Sequence, residues 1–94
     1  LVNNAGVAPT GRAESYSEEK WRQALDVNLT AVFDFSQIVG RRMIERGRGG
    51  RIINVTSIFG ALANRVYRSI GYVASKGGAE NLTRQLAVEW APHG

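Results

Sequence analysis

The sequence predicts an α/β fold built on a parallel sheet, and three observations carry that reading. Leu1-Val2 runs into the turn Asn3-Asn4-Ala5-Gly6 as the tail of a buried strand would. Arg51 to Ser57 (RIINVTS) is a short β-branched run between glycines. Its apolar residues Ile52, Ile53 and Val55 do not alternate cleanly, as in a parallel strand covered on both faces. Segments of helical period lie between and after these runs. The order is therefore strand end, helix, strand, helix, and one strand–helix–strand unit implies parallel pairing.

Each element has its own local signals. Val7 to Tyr16, with Pro9 and Gly11, reads as a loop. Ser17 is a favourable N-cap, and Glu18 and Glu19 complement the helix dipole in the first turn. Trp21, Leu25, Leu29, Val32, Phe35, Val39 and Met43 then follow steps of three or four, which predicts an amphipathic helix from Glu18 to Arg46. Gly47, Gly49 and Gly50 end it. So long a helix is unusual, and an interruption is expected near Asp26-Val27-Asn28, where short polar side chains compete for backbone hydrogen bonds. Ile58 to Ile70 reads as a loop. Gly71 to Trp90 reads as a second helix carrying Ala79, Leu82, Leu86 and Trp90 on one face, closed by Pro92 and Gly94. Two strands alone cannot make a covered parallel sheet. Residues 1–94 are therefore expected to be the central part of a single larger domain.

Composition excludes several classes. With 94 residues, 44% hydrophobic and 21% charged, the chain is of ordinary globular type and holds at most one small domain. It has no cysteine and one histidine, His93, so a disulfide framework, a thiolate zinc site and a histidine metal cluster are excluded, and no metal is expected. No apolar stretch approaches the ~18 residues of a membrane span. No secretory signal is visible in the opening residues, and a cytoplasmic location without a membrane partner is expected. The net charge of +4 is carried by one patch, Arg41, Arg42, Arg46, Arg48 and Arg51 against Glu45. A nucleic-acid footprint would be a basic face with base-stacking partners. This patch falls at a helix C-terminus, where cations complement the dipole, so no nucleic-acid partner is expected.

Four positions carry possible chemistry. Tyr72 and Lys76 are four apart at the start of a helix and share a face. An ammonium beside a phenol favours the phenolate, which suits the tyrosine to acid–base work. Ser57 stands at the carboxyl end of the RIINVTS strand, where open α/β sheets bind ligands, and its hydroxyl can donate to a substrate oxygen. Asn3, Asn4, Ala5 and Gly6 stand at the carboxyl end of the other strand, where small residues let a flat or phosphorylated ligand approach the backbone. Asn28 lies at the expected helix interruption. Taken singly, each of these also reads as an ordinary turn, cap or surface pair.

In this order, NNAG, an Asn within a long helix, a strand ending NVTS with a glycine three residues on, and YxxxK, the chain strongly resembles the short-chain dehydrogenase/reductase family from Leu1 to Gly94. The resemblance implies a Rossmann-like doubly wound parallel sheet, present here as a fragment, and use of NAD or NADP. It implies Tyr72 as the acid/base that exchanges a proton with the substrate oxygen. Lys76 would assist Tyr72 and hold the nicotinamide ribose, and Ser57 would orient the substrate oxygen. Asn28 would hold, through its backbone carbonyl, a water in the proton relay. Asn3, Asn4, Ala5 and Gly6, with Tyr72 and Lys76, would line the cofactor. The implied reaction interconverts a secondary alcohol and a ketone by hydride transfer. The implied assembly is a homo-oligomer, a tetramer, joined through Asn28–Arg46 and Gly71–Trp90. The Ser57-to-Tyr72 separation of 15 is slightly longer than the commonest in the family.

Two other classes stand beside this one: a non-catalytic relative that binds nucleotide or partners, and a nucleic-acid binder using the arginine patch. The complete set Asn28, Ser57, Tyr72 and Lys76 argues against the first. Arg65 and Arg68, with Asn64 and Tyr67, precede Tyr72 and read either as a site for an anionic or polyhydroxylated substrate or as a solvated loop. The overall character resembles the gluconate dehydrogenase and 3-oxoacyl carrier-protein reductase branches of the family without separating them.

Overall fold

A computed structural model describes residues 1–94. Val2–Asn3 (β1) pairs with Ile53–Asn54 (β2) in parallel, with Val2 opposite Ile53 and Asn3 opposite Asn54. The ladder continues beyond both strands through Ile53 N–H to Leu1 C=O and Val55 N–H to Asn3 C=O, each at 2.9 Å. Between the strands come Glu18–Leu25 (α1), a π-helical turn over Asp26–Thr30, and Ala31–Arg46 (α2). Ile70–Trp90 (α3) follows β2. Short 3₁₀ turns at Ala13–Ser15 and Ile58–Gly60 interrupt the two expected loops. No helix is long and apolar enough to cross a membrane.

The expected caps form. The Ser17 side chain accepts from Lys20 N–H at 3.2 Å. Gly47 ends α2 at φ 63°, a left-handed conformation that a side chain disfavours. The expected interruption falls at Asp26–Thr30 as a π-helical turn, a wide turn often found at functional sites.

Both long helical segments lie against one face of the strands, and the register partners Asn3 and Asn54 fasten them there. Asn3 Nδ2 donates to Ser36 Oγ on α2 at 3.2 Å and to Asn54 Oδ1 at 2.8 Å. Asn54 Nδ2 donates to Thr83 Oγ1 on α3 at 2.9 Å. The other face is open, with Val2 60% and Ile53 57% exposed. Of the expected strand from Arg51 to Ser57, the paired part is Ile53–Asn54. The paired strand is two residues long and covered on one face, because within this segment no element packs against Val2, Ile53 and Val55.

The expected apolar stripe of the first helix is corrected. Leu25, Leu29, Val32, Val39 and Met43 are at least half-buried, but Trp21 and Phe35 are exposed. The fully inward line is Ala24, Asn28, Val32, Ser36 and Gly40, in steps of four. Small residues hold this line because α3 comes so close. A methyl group on Gly71 would lie 2.9 Å from both Ala24 Cβ and Tyr16 Oη. One on Gly40 would lie 2.5 Å from the Trp90 ring.

Gly71→Ala tests this approach. Overpacking costs ~1–3 kcal/mol, against at most ~1 kcal/mol gained in helix propensity. The thermal midpoint of the full-length protein, measured by calorimetry, should fall. A raised midpoint would show that the contact yields freely.

Candidate active site

The carboxyl ends of β1 and β2 lie side by side. After β1 the chain passes through Asn4, Ala5 and Gly6, all exposed, to Val7. Both backbone groups of Val7 are bonded to the Asn28 carboxamide: Val7 N–H donates to Oδ1 at 2.9 Å, and Nδ2 donates to Val7 C=O at 2.8 Å. Nδ2 also donates to Ser75 Oγ on α3 at 3.0 Å. Asn28 is completely buried. A polar group without partners there would cost ~1–3 kcal/mol, so these bonds hold the π-helical turn against the loop after β1.

Lys76 points in from the first turns of α3 and is 5% exposed. Lysine is almost never so buried unless paired. The ion pairs of the chain are Arg12–Glu14, Arg22–Glu18 and Arg84–Glu80, and Lys76 has no part in them. Its Nζ donates to Val55 C=O in the tail of β2 at 2.9 Å and lies 5.8 Å from the centre of the Tyr72 ring. That separation is within cation–π range. An ammonium has three donors, so two remain after the Val55 bond. Gly6 stands where the two halves meet: a methyl group on it would lie 3.5 Å from Asn28 Oδ1 and 3.7 Å from Lys76 Nζ.

Ser57 begins the turn that follows β2, and its Oγ accepts from Phe59 N–H at 3.2 Å. That turn rests on α3 through glycine on both sides. A methyl group on Gly60 would lie 3.0 Å from Lys76 O, and one on Gly77 would lie 3.1 Å from Gly60 O. Ser57 is thereby held beside the helix that carries Tyr72 and Lys76. Tyr72 is half-buried on the first turn of α3.

The structure brings Asn28, Lys76 and Gly6 together and sets Tyr72 beside Lys76, with Ser57 at the end of the strand that Lys76 binds. Asn3 differs. Its amide nitrogen is committed to Ser36 and Asn54, so what it offers at the end of β1 is backbone. Sequence reasoning missed Ser75, whose only signal was its place one turn beyond Gly71 on the inward face of α3. It also missed the clamp from Ser36 through Asn3 and Asn54 to Thr83, which an Asn in each of two paired strands could have signalled.

The chain shares its architecture with parts of solved dehydrogenase structures. It aligns over its whole length, at a TM-score of 0.92 and 37% identity, with a gluconate 5-dehydrogenase from Burkholderia cenocepacia in complex with NADP and tartrate, covering 36% of that chain. It aligns over 99% of its length, at a TM-score of 0.93 and 33% identity, with 4-hydroxyisoleucine dehydrogenase complexed with NADH, covering 40% of that chain. Among curated relatives it is 43% identical over 95 residues to galactitol 2-dehydrogenase of Rhizobium johnstonii, covering all of this chain and 37% of that protein. The chain thus spans somewhat over a third of the length of these proteins. The short chain dehydrogenase family model matches residues 1–94. The chain belongs to the short-chain dehydrogenase family.

Proposed function

We propose that this segment carries the catalytic centre of an NAD- or NADP-dependent oxidoreductase that interconverts a secondary alcohol and a ketone, with Tyr72 as acid/base. The observation that carries the reading is Lys76, a buried lysine bonded to one backbone carbonyl and lying against the Tyr72 ring. The donor set fits a nucleotide. Lys76 keeps two N–H groups for ribose hydroxyls. Exposed Asn4, Ala5 and Gly6 leave the backbone at the end of β1 accessible to a flat ring. Tartrate beside NADP in one relative, and galactitol in the name of another, make polyols and sugar acids the first substrates to try.

When bound, the nicotinamide supplies the hydride chemistry. The chain's own residues handle the proton. Ser57 donates to the substrate oxygen and orients it. Tyr72 Oη takes the hydroxyl proton in oxidation and returns it in reduction. The Lys76 ammonium lies on the ring side of that phenol, where it stabilises the negative charge left when the proton departs. The Asn28 side chain is committed to Val7 and Ser75. The family resemblance gives Asn28 its part in the relay toward Lys76 through its backbone carbonyl and a water, and the committed side chain agrees with that.

Full-length enzyme mixed with NAD⁺ or NADP⁺ and a panel of polyols and sugar acids should show reduced nicotinamide accumulating in absorbance. No turnover with any alcohol or ketone in either direction would reject the reading. Lys76→Ala should impair both functions of the ammonium, lowering kcat and weakening cofactor binding together. A cofactor titration that gives the parent Kd for this variant would count against the shared role.

The same reading makes residues 1–94 the central part of a single domain and the enzyme a homo-oligomer, with a tetramer favoured. In support, apolar side chains lie outward on both long helices, among them Phe35 and Ile38 on α2 and Val88 on α3. Sedimentation of the full-length protein at micromolar concentration should give a tetramer, and a monomer would refute it.

A further inference from the structure

Ser75 sits between two of the proposed catalytic positions and touches neither reacting group. It is completely buried on the inward face of α3. Its hydroxyl both accepts and donates a hydrogen bond. Oγ accepts from Asn28 Nδ2 at 3.0 Å and donates to the backbone carbonyl of Tyr72 at 2.9 Å. Through Asn28 the chain of bonds extends to Val7 and so to the loop after β1. A serine bonded back to the carbonyl of its preceding turn biases the local bend of a helix. Here the bonded carbonyl belongs to Tyr72 itself. Close approach without hydrogen bonds also occurs nearby, Ala24 of α1 facing Gly71 and Leu29 of the π-helical turn facing Gly78. Such contacts set distance but resist small rotations of α3 poorly. Two hydrogen bonds meeting at one hydroxyl resist them directionally.

We propose that Ser75 is a positioning residue. Its hydroxyl ties the Asn28 carboxamide to the Tyr72 carbonyl and so sets the orientation in which the first turn of α3 presents the Tyr72 phenol. The inference rests on the assignment of Tyr72 as acid/base. It adds the device that aims it, and it accounts for a buried polar side chain that the chemistry does not otherwise need.

Misplacing a reacting group by about 1 Å can cost ~10²-fold in rate. Ser75→Ala in the full-length enzyme should therefore lower kcat by ~10- to 100-fold, with the KM for substrate and the Kd for NAD(P) moved less than ~3-fold. Ser75→Cys, close in volume and a weak hydrogen-bonding group, should fall between the two and guards against a misfolded alanine variant. Thr83→Val, which breaks the Asn54 bond far from Tyr72, should lower the thermal midpoint and leave kcat at the parent value. A second readout is independent of turnover. In enzyme labelled with ¹³C at tyrosine Cζ, the Tyr72 resonance, assigned by its loss in Tyr72→Phe, should shift in Ser75→Ala and stay in place in Thr83→Val.

A Ser75→Ala enzyme that loses thermal stability while kcat and the Tyr72 resonance stay at parent values would overturn the proposal. A Tyr72 resonance that shifts in a protein where Tyr72→Phe retains full kcat would uphold the tether and reject the acid/base assignment, so the two failures are distinct.

Discussion

Tyr72→Phe should reduce kcat of the full-length enzyme by at least ~10²-fold, and by up to ~10⁴-fold, the range typical of a positioned acid–base group. The substitution removes one oxygen. It leaves the ring against Lys76, the Lys76 bond to Val55 C=O and the backbone carbonyl that Ser75 uses. The stability of the protein and its affinity for NAD(P) should therefore change little. That separation makes the test informative: a variant that binds cofactor normally and fails only in the chemical step has lost its proton donor and acceptor. Steady-state kinetics beside a fluorescence titration of the reduced cofactor would measure both. Parent-like kcat in the purified variant would remove Tyr72 from the reaction.

Residues 1–94 expressed alone should neither unfold cooperatively nor transfer hydride. Ten of the 94 residues are buried, and only Ala24, Val32 and Ala79 among them are hydrophobic. Large apolar side chains from Val2 and Ile53 on the open sheet face to Phe35 and Ile38 on α2 lie in water. The Cα radius of gyration is 14.7 Å, against ~12 Å for a compact domain of this length. At ~25 cal/mol for each Å² of apolar surface, a few hundred Å² left wet is comparable with the whole stability of a domain, ~5–15 kcal/mol. A urea titration followed by circular dichroism should show a shallow, featureless loss of helix, the same with and without nucleotide. A sharp transition that nucleotide moves to higher urea would demonstrate a self-sufficient fold.

The element order, the helix caps and the break in the long helix at Asp26–Thr30 were legible in the residue order, whereas Asn28, Ser57, Tyr72 and Lys76 stood out as a set only through the order of motifs that resembles a known family. The first three rest on local chemistry. Capping, glycine termination and β-branched runs act within a few residues, and YxxxK needs only the pitch of a helix to bring its two members together. Other features depend on residues far apart in the chain meeting in space. Hydrophobic periodicity placed Trp21 and Phe35 inward because it weighs large side chains. The face that packs is set by Gly71, Gly78 and Gly40, where α3 and α2 come within a methyl group of their neighbours. Asn3 and Asn54 read as turn and strand residues, yet they clamp β1 and β2 to the two helices through Ser36 and Thr83. Ser75 carried almost no signal, since a small polar residue in a helix is ordinary until its partners are known. Burial is what distinguishes it. Buried away from solvent, Asn28 and Ser75 take their partners from Val7, Tyr72 and each other, and 47 residues separate Asn28 from Ser75 in sequence.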